Sequence, residues 1–228
     1  MTTKLKPLVA ECFATFALVF IGAGSVVADN ATGGEVGLAG VAIAHGLVFA
    51  IMVTATMPIS GGHVNPAVTF GLWLARKIEG PLAVLYVVAQ LVGAAAAAFL
   101  LRAVFPTAAG SATSWGVPRI SAFITLPQAI VIEAILTMFL VAAVFGTAVS
   151  SKAPKLGGFG IGLVLTFDIF AGGPFTGAAM NPARAFGPAL AANDWTAQVA
   201  YWVGPLLGAA VAALIWGWFL LPRESEAA

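Results

Sequence analysis

A chain of 228 residues that is 61% hydrophobic and only 8% charged cannot cover a water-facing globule, because a soluble surface carries roughly 25% charged residues. The mean hydropathy of +1.01 excludes disorder, and a net charge of +1 excludes a nucleic-acid partner. One cysteine, Cys12, forbids an intrachain disulfide and a cysteine-based zinc site, and two histidines leave little for any other metal, so no metal and no cofactor is expected. The solvent of such a chain is lipid.

A helix crossing the hydrocarbon core needs about 20 apolar residues. Six stretches meet or approach that length: 7–28, 36–58, 81–105, 126–149, 156–173 (short and Gly-rich) and 196–220. The first begins like a signal peptide, but it contains Glu11 and no cleavage site follows, so it reads as a retained span. Stretches 59–80 and 174–195 are too apolar for surface loops and are broken by Pro and Gly. Each holds a short helical pattern opening at a proline, Pro66 or Pro182, and proline suits the first helical position because the N–H it lacks has no intrahelical partner there. About ten residues span roughly 15 Å, half a bilayer, so these predict two re-entrant half-helices. The fold class expected is an all-α membrane protein of six transmembrane helices and two half-helices.

Threading six spans puts Lys4, Lys6, Arg76, Lys77, Lys152, Lys155 and Arg223 on one side, and essentially Arg119 on the other, with Arg102 near that end of the third span. Positive charge marks the cytoplasmic side, so both termini are expected there, in a plasma or inner membrane.

The chain repeats itself. Tyr86 to Ala98 aligns with Tyr201 to Ala213 at an offset of 115, with eight of thirteen positions identical. Asn65-Pro66-Ala67 matches Asn181-Pro182-Ala183 at an offset of 116, and Glu11 and Thr15 match Glu133 and Thr137 at 122. We read one channel domain over 1–228, with repeat one at about 1–105, repeat two at about 126–222 and a loop, 106–125, between them. Three spans per repeat is an odd number, so the second copy is inverted. The half-helices then enter from opposite faces and their N-termini meet at mid-membrane.

A helix N-terminus exposes unpaired N–H donors and about half a positive charge. Two of them at one point repel a cation and admit a neutral hydrogen-bond acceptor, which describes a filter for neutral solutes. Asn65 and Asn181 are expected both to cap their half-helices and to offer donors to what passes. Glu11 and Glu133 are expensive in a span; their matched placement suggests scaffolding, each carboxylate accepting N–H groups of its re-entrant loop, rather than proton transfer. Arg184, three residues after Asn181, should face the pore from the outer side, with an ion pair to Asp168 as the plainer alternative. His63 lies in the first re-entrant loop and His45 midway along the second span. No nucleophile, metal cluster or phosphate loop points to an enzyme.

The run from Ser60 to Thr69, with His63, Asn65, Pro66 and Ala67, and the run Asn181-Pro182-Ala183-Arg184 resemble the major intrinsic protein family, the aquaporins and glycerol facilitators, over essentially the whole chain. The resemblance implies a homotetramer with a pore in each subunit, and an outer filter formed by His45, Ile169, Ala178 and Arg184. Strict water channels of the family usually carry Phe and His at the first two of these positions. His45 with Ile169, and the run from Ala171 to Phe175, are similar to plant tonoplast intrinsic proteins, which implies passage of water and of ammonia or hydrogen peroxide. Glycerol facilitators usually carry Asp at the position of Ala185 and Pro-Leu at Tyr201-Trp202, so glycerol transport is the alternative, and a secondary active transporter a more remote one. The partners expected are water, small neutral solutes and the lipid bilayer.

Overall fold

The computed structural model describes residues 2–154 and 156–221. Lys155 and Arg223, used above for orientation, lie outside these, as does the side chain of Lys4. Nine α-helices occur among the described residues: α1 (Thr2–Ala31), α2 (Gly37–Ser60), α3 (Pro66–Leu74), α4 (Gly80–Val104), α5 (Thr107–Ala112), α6 (Leu126–Val144), α7 (Phe159–Thr176), α8 (Pro182–Ala192) and α9 (Gln198–Ile215). Single π-turns, Phe145–Val149 and Trp216–Leu220, extend α6 and α9. Six helices are long and apolar enough to cross a membrane, and α3 and α8 are the two half-helices.

Large apolar side chains such as Phe13, Val84, Leu163 and Trp218 point outward, while the interior is built largely from small residues. Lipid is as apolar as leucine, so the helices are held by close packing rather than by the hydrophobic effect. A Cβ at Gly93 would strike the Cys12 carbonyl, and one at Gly208 the Ala134 carbonyl. These two contacts, α1 on α4 and α6 on α9, are the same contact in the two repeats.

The contacts also give direction. Cys12 meets Gly93 and Gly24 meets Leu101, so α1 and α4 run parallel; α6 and α9 do likewise through Glu133–Gly204 and Gly146–Trp216. By contrast α1 opposes α2 (Glu11 on Ser60, Gly22 on His45), α2 opposes α7 (Gly46 on Thr166, Gly158 on Thr54), and α7 opposes α6 (Gly172 on Leu136, Thr176 on Glu133). It follows that α6 opposes α1, which is the inverted repeat. Lys6, Arg76, Lys77 and Lys152 gather at one end of the bundle.

Two boundaries differ from the sequence reading. The first helix runs from Thr2 to Ala31 and continues through Pro7, its sixth residue, at the loss of one intrahelical N–H bond. The fifth span runs 159–176 instead of 156–173. Gly157 (φ 56°) turns the chain before it, and the helix continues past Pro174 until Gly177 (φ 77°) closes it with an N–H donated to the Gly173 carbonyl.

Candidate functional site

Each half-helix starts the same way. Asn65 and Asn181 are extended (φ −154°, ψ 124° and φ −147°, ψ 107°), and proline follows as the first helical residue. The Asn65 carboxamide oxygen accepts the Ala67 N–H at 2.8 Å, and that of Asn181 accepts the Ala183 N–H at 3.0 Å and the Arg184 N–H at 3.2 Å. Both asparagines are therefore N-caps.

Their amide nitrogens reach across to the opposite repeat. Asn65 Nδ2 donates to the Met180 carbonyl (2.8 Å) and Asn181 Nδ2 to the Val64 carbonyl (3.0 Å). An NH2 group has two donors, and each finds one acceptor among the described residues, so one N–H of each remains for a guest. Val64 (φ 56°) and Met180 (φ 50°) hold left-handed backbone without being glycine, which costs on the order of 1–3 kcal/mol each and persists only where the surroundings impose it.

The glutamates impose it. Glu11 Oε1 accepts the His63 N–H (2.9 Å) and the Ser60 hydroxyl (2.6 Å), and its Oε2 accepts the Val64 N–H (2.6 Å) and Gln90 Nε2 (2.8 Å). Glu133 Oε1 accepts the Ala179 N–H (3.0 Å) and the Thr176 hydroxyl (2.7 Å), and its Oε2 the Met180 N–H (2.7 Å). Both carboxylates are fully buried. His63 lies beside this junction: its Nδ1 is 3.1 Å from the Thr69 hydroxyl, and its ring stands edge-on to Tyr86 with centroids 5.0 Å apart.

Beyond the asparagines, toward the end of the bundle opposite Lys6 and Arg76, His45, Ile169 and Arg184 line a vestibule of about 470 Å³. Below it His45, Ala178 and Arg184 line a cavity of about 10 Å³ that reaches Asn65 and Asn181. About one water fits such a space. Ile169 and Ala178 give this wall apolar surface, and both are buried. His45 Nδ1–H donates to the Val41 carbonyl (2.9 Å), which leaves Nε2 as an acceptor for Arg184 Nε–H (3.3 Å). Arg184 Nη1 donates to the Gly116 carbonyl (2.7 Å), and Nη2 has no protein acceptor among the described residues.

The alternative pairing of Arg184 with Asp168 does not occur. The one ion pair among the described residues joins Arg119 to Asp194 at 3.3 Å. Asp168 is 1% exposed and its Oδ2 has no partner, and nothing in the structure explains that.

Three further contributors have no site role in the sequence reading. Gly116 belongs to the loop 106–125, where α5 and a 3₁₀ turn (Ser114–Gly116) bury Trp115 against Gly110. Tyr86 and Tyr201 donate to the Ser60 and Thr176 carbonyls at 2.9 and 2.7 Å, one per repeat. Arg102 donates to the Ala191 carbonyl (2.5 Å), placing a cation at the negative end of α8.

Residues 1–216 match the family described as Major intrinsic protein. Among curated relatives, aquaporin TIP4-4 of Zea mays is 43% identical over 96% of this chain and 92% of its own length. Aquaporin TIP2-1 of Arabidopsis thaliana is 41% identical over 94% and 87% respectively. Among solved structures, the aquaglyceroporin from Plasmodium falciparum superposes with a TM-score of 0.81 over 95% of this chain and 96% of that one; its 22% identity speaks to the fold alone. An integral, multi-pass membrane placement follows. The relatives are tonoplast intrinsic proteins, and that name differs from the plasma or inner membrane expected above.

Proposed function

The chain belongs to the major intrinsic protein family, and from that membership we propose a passive channel that conducts water and small neutral solutes such as ammonia or hydrogen peroxide while excluding protons and ions. The observation that carries this reading is the narrowing of a 470 Å³ vestibule to a site of about 10 Å³ shared by His45, Arg184 and both asparagines.

In this reading the outer filter is His45, Ile169, Ala178 and Arg184. A cation entering it loses its water shell and meets the buried guanidinium, then two half-helix N-termini of about half a charge each. A neutral acceptor meets the free N–H groups of Arg184, Asn65 and Asn181 in turn, while Ile169 and Ala178 offer it no competing bond. Asn65, Pro66, Ala67 and Asn181, Pro182, Ala183 form the pore midpoint. Glu11, Glu133 and His63 scaffold the re-entrant loops. No step needs a cofactor. Glycerol is the weaker substrate, on the strength of Ala185 and Tyr201-Trp202.

The same reading takes the functional unit as a homotetramer with one pore per subunit, the whole chain as one channel domain divided at the loop 106–125, and the end bearing Lys6, Arg76, Lys77 and Lys152 as cytoplasmic. Stopped-flow light scattering on proteoliposomes tests the central statement. Fast water, measurable ammonia and slow glycerol are expected; glycerol as fast as water would move the chain to the facilitator side, and water no faster than through empty vesicles would refute a channel.

A further inference from the structure

The two groups that hold Arg184 both lean on consecutive residues of α1. The His45 ring stands over Gly22: a Cβ there would lie 2.5 Å from Nε2 and 2.6 Å from Cδ2, where ordinary contact begins at 3.4 Å. Gly116, whose carbonyl takes the other Arg184 bond, stands over Ala23, with a Cβ at Gly116 falling 2.7 Å from the Ala23 Cβ. Gly22 and Ala23 are both buried. The ring is fixed on a second side by its Nδ1–H bond to the Val41 carbonyl. Its free side is the narrow cavity below the vestibule.

We propose that Gly22 is a positioning residue that sets the selectivity of the filter: the Cβ it lacks makes the recess in which the His45 imidazole is seated, and so fixes both the width of the constriction and the bond to Arg184 Nε. This inference rests on the channel reading above. A methyl group at position 22 drives the ring away from α1 by about the shortfall from 2.5 Å to 3.4 Å. In a space that holds about one water, that displacement obstructs the path and breaks the Arg184 contact. The three atoms nearest a Cβ at Gly22 all belong to His45 and none to the half-helix junction.

The test is permeability of proteoliposomes to water and ammonia for the wild type, Gly22→Ala, His45→Ala and the double variant. Gly22→Ala is expected to cut water several-fold and ammonia further, shifting the ammonia-to-water ratio. On the His45→Ala background the same change should have no effect, because no ring occupies the recess. Equal losses on both backgrounds, or an unchanged ratio at normal yield, would overturn the proposal. If Gly22→Ala alone fails to assemble, the double variant must recover assembly, and equal failure of the two also overturns it. A wild type that conducts no water refutes the channel reading itself, an outcome visible before any variant is compared.

Discussion

In the first repeat the loop carboxylate sits within a web of side chains. Glu11 takes Ser60 and Gln90 besides two backbone N–H groups, and Gln90 Nε2 reaches on to the Thr69 hydroxyl (3.1 Å), which also meets His63. In the second repeat Glu133 takes the equivalent backbone groups and Thr176, but Pro205, Ala185 and Ala179 stand where Gln90, Thr69 and His63 would be. Arg184 stands where the first repeat has the buried Val68. The backbone scaffold was duplicated and kept, while the side chains around it diverged. One half-helix is braced by polar contacts, and the other is cleared of polar groups that would compete for its single cation. Arg184 can then spend its donors on His45, Gly116 and the lumen.

The largest effect should come from removing the carboxylates. Glu11→Ala strands four donors and Glu133→Ala three, at about 1–3 kcal/mol for each buried group left unsatisfied. Thermal unfolding in detergent should show both variants badly destabilised and Glu11→Ala the worse; equal losses would mean that the extra web around Glu11 contributes nothing. Next comes Arg184→Val, which gives the second half-helix the residue of the first. Folding should survive, since no carboxylate within ion-pair distance loses its partner, and proton or cation leak in vesicles should rise well above the wild type. A tight bilayer in that assay would remove Arg184 from the barrier.

A smaller effect separates Glu11→Gln from Glu133→Gln. Each amide turns an NH2 toward one loop N–H, at a cost of about 1–3 kcal/mol. In the first repeat Gln90, whose Oε1 is buried without a partner, can turn to accept from the new amide, so Glu11→Gln should retain much of the water flux and lose less stability than Glu133→Gln. Loss of all flux in a well-assembled Glu11→Gln would contradict a scaffolding role. The smallest change is expected of His45→Phe, which narrows the mouth and lowers ammonia or peroxide passage more than water; unchanged solute ratios would sink the filter assignment.

The two half-helices could be read from the sequence because Asn-Pro is a side-chain signal for a helix start, and the glutamates because a carboxylate in a span demands donors. The cross-bonds at Val64 and Met180 could not, since a carbonyl carries no residue signature and left-handed valine or methionine is not announced by composition. The contribution of Gly116 was hidden for the same reason: Ser114 and Trp115 adopt positive φ without being glycine. The tyrosine pair was legible and went unused. Tyr86 and Tyr201 open the aligned segment and are the two tyrosines of the sequence.

The crossed asparagine bonds also bear on how the protein is made. They join residues 115 and 117 positions apart, so neither half-helix tip can satisfy its amide until the partner repeat has left the ribosome and entered the bilayer. Contacts of such sequence separation close late, after locally formed helices have packed. The crossed bonds at the centre of the channel therefore form late, and a product truncated after α4 would hold its first half-helix with the Asn65 amide lacking its Met180 acceptor.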